Sequence, residues 1–520
     1  MRVEEATIEE LGAALAAGGI TASGLAAAAL ARIAAFDRAG PSLNAVRQTN
    51  GEALAIAAAI DAAKPQKRRP LEGIPILVKD NIATADGQQT TAGSLALAEA
   101  GANRDATVVR LLREAGAVIL GKTNLTEFAN ILAVGMPAGY SSLGGQVRNP
   151  YCPLLDENGM PLFPPGGSSS GSAVAVAAGY VAAAIGTETS GSLLSPANQN
   201  GVVTVKPTVG LISRAGIIPI AASQDTAGPL SRTVRDAAIL LNVLAAPDPL
   251  DAATEALQRP ADYTRFLDKD GLKGARIGVP SDPADPGNDV YYGPLPAPAA
   301  QVMQQAIAAI EELGATVVRG NIASRAWLGG PGAEIAILNR NRWSPEFNQR
   351  SRLPIVFVYE LKAGLNAYLR DWARNTPMRT LADIIAFNEA NAERALRFGQ
   401  DVFLAAEETA GDLGEIEYRA ARAMDLKSAR DVGLDAYLDR HRLDAVLFPA
   451  NQGAAIAAKA GYPSVQVPAG FIAVGEGIEV SYGATFTGRA WSEPTLLRLA
   501  YAFEQATKAR RPPNLEREAT

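Results

Sequence analysis

The chain has 520 residues, 48% of them hydrophobic and 20% charged, with a formal net charge of −6. That length supplies a sizeable core, and the mild acidity argues against a surface built for nucleic-acid phosphates. One histidine (His441) and one cysteine (Cys152) exclude an intramolecular disulfide and a histidine-rich metal site. Hydrolytic chemistry therefore runs on His441 alone or on no histidine.

The N-terminal MRVEEATIEEL is acidic where a secretory signal is basic and then apolar. The longest apolar stretch, Ala173 to Ile185, is too short to span a membrane. A cytoplasmic chain with no membrane partner is expected. Ala-rich helices come first, TIEELGAALAAGG and SGLAAAALARIAAFD, then LNAVRQTNGEALAIAAAIDAA, and KPQKRRP (Lys64 to Pro70) reads as a basic, solvated connector. The strand IPILV ends at Lys79. The helix DATVVRLLREAG leads to the strand AVIL and the turn GKTN. PPGGSSSGS (164–172) opens a small-residue helix, AVAVAAGYVAAAI, and a second Gly/Ser turn, TETSGS, follows.

Between about 245 and 275 the composition shifts to Asp, Pro and Ala, as in a linker. ARIGVP, a helix near 297–313 and ATVVRG form a strand–helix–strand pattern, and 330–440 reads as mostly helical. DAVLFPA, SVQVPAGF and IEVSYGATF return to strand character before the closing helix PTLLRLAYAFEQAT. No internal repeat is present. Alternating helices and strands predict an α/β fold.

Two motifs point to chemistry that their context does not support. Gly116-AVIL-Gly121-Lys122-Thr123 matches a phosphate loop, but the intervening residues are strand formers rather than a flexible turn that turns N–H groups to a phosphate. Gly167-Ser168-Ser169-Ser170-Gly171 matches a nucleophile elbow, yet Phe163-Pro164-Pro165 is poor strand material, and His441 lies among charged residues. A Ser169/His441 hydrolase and a nucleotide-binding protein remain as rival readings.

GGSSSGSA (166–173), GTETSGS (186–192) and GVVTVKPTVGLISRAG (201–216) together resemble the signature of the amidase signature family. GIPILVKDNI, TTAGS, GAVILGKTNLTEFA, RNP, AGYPSVQVPAGF and FTGRAWSEPTLLRLAYAFEQAT occur in that family's order. The resemblance implies a single amidase domain over 1–520. Its signature core falls at about 70–245 and 441–508, and a more variable, helix-rich, substrate-side region at about 275–440. The implied fold is a large twisted mixed β-sheet flanked by helices on both faces.

The family's Ser–Ser–Lys triad falls on Ser192 as nucleophile, Ser168 as the bridging serine after a cis peptide, and Lys79 as general base. Backbone N–H groups of Thr189, Ser190, Gly191 and Ser192 correspond to its oxyanion hole. The chemistry suits a chain with almost no histidine. A serine hydroxyl needs a base beside it, and a lysine serves only when burial lowers its pKa from ~10.4.

GTET, KPTVGLISRAGIIPI, SQDTAGPL and YELKAGLNAYL resemble bacterial peptide amidases within the family. That implies hydrolysis of peptide C-terminal carboxamides to acid and ammonia, without cofactor, metal or nucleic-acid partner. The alternative is a hydrolase of small aryl or alkyl amides, esters or carbamates. An amidotransferase subunit is the more remote reading, since Leu194 stands where many members carry arginine.

Three further features carry expectations. Ser190 takes a place commonly held by glycine and is strained if that place needs a positive φ. YCPLLDENGMPLFPP is expected to edge the pocket, and Trp343, Phe357 and Tyr359 to be wall residues at most. The oligomeric state is open.

Overall fold

Ile74 to Val78 contains no polar side chain, and a strand of that kind has to be covered on both faces. The computed structural model describes residues 2–63, 68–256, 259–323, 354–475 and 477–516, and this run lies well inside its 11-stranded sheet. In chain order the strands are β1 Val46–Thr49, β2 Pro75–Lys79, β3 Gly101–Ala102, β4 Val118–Thr123 and β5 Tyr140–Ser141. Next come β6 Gly145–Gln146, β7 Ala183–Glu188, β8 Val203–Lys206, β9 Thr226–Ser231 and β10 Arg276–Val279. The last are β11 Thr316–Arg319, β12 Ala373–Arg374, β13 Ala445–Pro449, β14 Ser464–Gly475 and β15 Ile478–Thr487.

The large sheet runs β1-β4-β2-β7-β9-β8-β14-β15-β13-β10-β11. β2 is parallel to both β4 and β7, whereas β9 is antiparallel to β7. It is a mixed sheet flanked by helices, the α/β architecture read from the sequence. β2, β4, β7 and β9 are buried along their whole length. Among the described residues no helix is long and apolar enough to cross a membrane.

Several helix starts follow local chemistry. Thr7 and Glu10 form a reciprocal capping box on the helix Ile8–Ala16, satisfying N–H groups that the first turn leaves free. Thr21 caps the helix Ala22–Ile33 through Gly24 N–H.

The structure departs from the sequence reading in four places. AVRQT is not helical: it forms the edge strand β1 against β4, and the helix begins at Ala53. GKT is not a turn, because Gly121 to Thr123 prolong β4. The small-residue helix stops at Ala177, with Gly179 at φ 70°, and Ala183–Ile185 become part of β7. Alanine by itself favours helix, so the pairing of this segment between β2 and β9 overrides its local propensity. The segment near 245–275 is no free linker. Asp248 accepts hydrogen bonds from the Thr107 and Ser213 hydroxyls at 2.5 Å, and Tyr263 is buried. Lys64–Lys67 of the basic connector and Trp343 lie outside the described residues.

Candidate active site

Register brings the signature residues together. β2 and β7 run parallel with Val78 opposite Ile185, so their carboxyl ends deliver Lys79 and the Thr187–Ser192 turn to one place. Carboxyl ends of parallel strands are where open α/β sheets gather ligand sites. β9 returns antiparallel with Thr226 opposite Glu188, which sets Asp225 beside Thr189. The first Gly/Ser turn enters the fully buried helix Ser170–Ala177, and the Gly167–Ser168 peptide is cis. Ser169 N–H donates to Ser192 O at 3.1 Å and ties the two turns together. Gly171 lets the start of that helix lie close against Ala45 and Asn124, since a Cβ there would stand 2.2 Å from Ala45 O and 2.5 Å from Asn124 O.

Lys79 is fully buried. Its Nζ donates to Ser168 Oγ at 2.8 Å, to Thr187 Oγ1 at 2.9 Å and to Thr187 O at 3.3 Å. Burial pushes its pKa from 10.5 to about 7, while the Glu188 and Asp225 carboxylates pull the other way. An amine in that range is available as a base at neutral pH. Ser168 is likewise buried, whereas Ser192 keeps 7% exposure.

Glu188 Oε2 accepts N–H of Leu193 at 2.7 Å and of Leu194 at 3.0 Å, pinning the start of the helix Leu194–Asn200 just after Ser192. A carboxylate at a helix N-terminus also meets the positive end of its dipole. Asp225, pushed up to about 6 by burial, accepts the Thr189 hydroxyl and the N–H groups of Ile220 and Ala221. In the turn itself, Gly191 takes the left-handed conformation at φ 91°, and Ser190 does not. The strain expected at Ser190 is therefore absent: glycine already occupies the position that needs it.

A cavity of about 310 Å³ opens beside this cluster. Asn81, Thr187, Thr189 and Asp225 form its polar side, while Ile217, Ile218, Tyr368 and Trp372 contribute apolar wall. The helix Ile355–Asp371 closes it opposite the strand ends, and the Arg214–Asp251 ion pair also lines it. The loop 151–165 does not line it, contrary to expectation. Tyr151 donates to Arg511 O and packs on Phe471, so that loop is drawn to the C-terminal segment instead. Phe357 and Tyr359 are core residues outside the cavity wall.

The rival motifs separate. Lys122 is buried in β4, donating to Ile82 O and to Thr90 Oγ1 at 3.0 Å, with no phosphate-facing turn around it. Ser169 Oγ donates to Thr187 O at 2.9 Å, while His441 ends the helix Ala436–His441 against the Tyr437 ring. No hydrogen bond joins Ser169 to His441 among the described residues. Sequence reasoning passed over Asn81, Thr187, Glu188, Asp225 and Tyr368. All five sit inside the family-like motifs, but nothing in spacing alone distinguishes a wall residue from a neighbour.

Comparison with known proteins agrees with the fold. The amidase family model matches residues 25–326. A probable amidase of Arabidopsis thaliana is 39% identical over 520 residues, covering 98% of this chain and 92% of that protein. The X-ray structure of native peptide amidase from Stenotrophomonas maltophilia has a TM-score of 0.85 at 42% identity, covering 99% of both chains. A glutamyl-tRNA(Gln) amidotransferase subunit of Symbiobacterium thermophilum is 34% identical, covering 84% of each chain.

Proposed function

Because this chain belongs to the amidase family, we propose that it hydrolyses peptide C-terminal carboxamides through an acyl-enzyme on Ser192. The observation that carries the mechanism is the buried Lys79–Ser168 hydrogen bond of 2.8 Å, with a lysine pKa near 7, beside the Ser192 turn. Ser192 Oγ attacks the amide carbon, and its proton passes through Ser168 to neutral Lys79. The oxyanion faces backbone N–H groups of Thr189, Ser190, Gly191 and Ser192, each such donor contributing ~3–4 kcal/mol in the transition state. The C–N bond then breaks as Ser168 protonates the leaving nitrogen and recovers a proton from Lys79. Ammonia departs, and water hydrolyses the acyl ester by the same proton path in reverse.

The peptide-amide substrate is supported by the likeness to peptide amidase over the whole chain. The mostly apolar cavity beside the triad has room for side chains next to a terminal carboxamide. Amidotransferase chemistry is the less favoured reading. Leu194 is buried and presents no guanidinium at the place where many members carry one.

The deciding experiment uses intact mass after treatment with a serine-directed phosphonate, together with ammonia release from peptide amides. Wild type is expected to gain one adduct on Ser192. Ser192→Ala loses both the adduct and turnover, and an adduct or turnover retained in that variant refutes the assignment.

A further inference from the structure

Buried polar atoms normally find a partner, so an orphan in a cavity wall calls for an explanation. Asn81 is 2% exposed and lines the cavity. Its Nδ2 donates to Thr187 Oγ1 at 3.0 Å, but its Oδ1 has no hydrogen-bond partner among the described residues. The same Thr187 hydroxyl receives Lys79 Nζ at 2.9 Å, and Lys79 Nζ reaches Ser168 Oγ at 2.8 Å. Asn81 therefore stands one hydroxyl away from the base, in the wall of the cavity beside it. It is held there from two directions, because its backbone carbonyl accepts Ile218 N–H at 2.9 Å.

We propose that Asn81 Oδ1 accepts an N–H of the scissile primary carboxamide, making Asn81 the residue that selects carboxamides over esters. This rests on the acyl-enzyme reading above. An amide oxygen is acceptor only, so it pairs with the –NH2 of a carboxamide and meets only lone pairs on an ester oxygen or a product carboxylate. A site built to receive an N–H rejects the analogue lacking it, because its own acceptor is then left unpaired. The same repulsion favours release of the carboxylate product.

The test compares kcat/KM for one peptide carrying a C-terminal carboxamide with that for the same peptide as its methyl ester. Asn81→Ala lowers the amide-to-ester ratio about tenfold to a hundredfold, the loss expected for one buried hydrogen bond to substrate. Asn81→Asp keeps an acceptor at the same place and keeps most of the ratio, whatever its absolute rate. A ratio unchanged in Asn81→Ala overturns the proposal, as does a ratio that falls equally in Asn81→Asp. Asn81→Ser supplies the same measurement if the alanine variant does not fold. Ser192→Ala separates the two levels: loss of both reactions there, with an unmoved ratio at Asn81, leaves the acyl-enzyme reading standing and removes only this one.

Discussion

Lys79 acts as a base only when uncharged, so activity is expected to follow its titration. Burial sets that pKa at about 7, well below the 10.5 of a solvated lysine. Its neutral fraction is then about 9% at pH 6 and about 90% at pH 8. Were the side chain to titrate as in water, about 0.3% would be neutral at pH 8, roughly 300-fold less. The sign is fixed: the lowered pKa makes the working form available above pH 7, and kcat/KM is lost as pH falls through it. The assay is kcat/KM for a peptide amide between pH 5 and 9.5, with a rising limb and a plateau above about pH 8. Asp225 sharpens the test, because its carboxylate raises Lys79. Asp225→Asn removes that charge and moves the limb to lower pH. A rate that climbs tenfold per pH unit beyond pH 9, or one that is flat throughout, refutes the role given to the buried amine.

Three further expectations concern the groups around that base. Glu188→Ala frees the N–H groups of Leu193 and Leu194 that now bond the carboxylate. Bonds to a charged group are worth about 1.5–3 kcal/mol each, so kcat is expected to fall tenfold or more with little change in KM. An unaltered kcat shows that the turn holds itself. Gly171→Ala forces a Cβ to within 2.2 Å of Ala45 O. Overpacking of that kind costs about 1–3 kcal/mol and lowers the thermal unfolding midpoint of a chain this long by about 1–3 °C, whereas an unshifted midpoint argues against the close approach. Titration of the protein with Mg-ATP is expected to give no saturable heat, because Lys122 is committed to Ile82 O and Thr90 Oγ1. Saturable binding lost in Lys122→Met restores the nucleotide reading.

The sequence by itself determined the class of chemistry. A single histidine among charged neighbours made a histidine-based hydrolase a poor fit, and the resemblance of the two Gly/Ser turns and of the lysine after IPILV to the family's motifs pointed to Ser168, Ser192 and Lys79 as candidates. Long apolar runs such as IPILV and well-capped helices such as TIEEL were legible because their patterns match the periodicities of strand and helix. The alanine-rich stretch AVAVAAGYVAAAI was not, since alanine favours helix and only the pairing with β2 and β9 after the break at Gly179 overrides it. Nor did 245–275 betray that Asp248 accepts the hydroxyls of Thr107 and Ser213. The tertiary structure alone decided which nearby polar residues matter. Asn81, Thr187 and Asp225 come from three separate strand ends, and only the register of β2, β7 and β9 sets them around one cavity beside Lys79. The lysine pKa follows the same rule: it comes from desolvation, a property of everything packed around the side chain, and no local sequence encodes that.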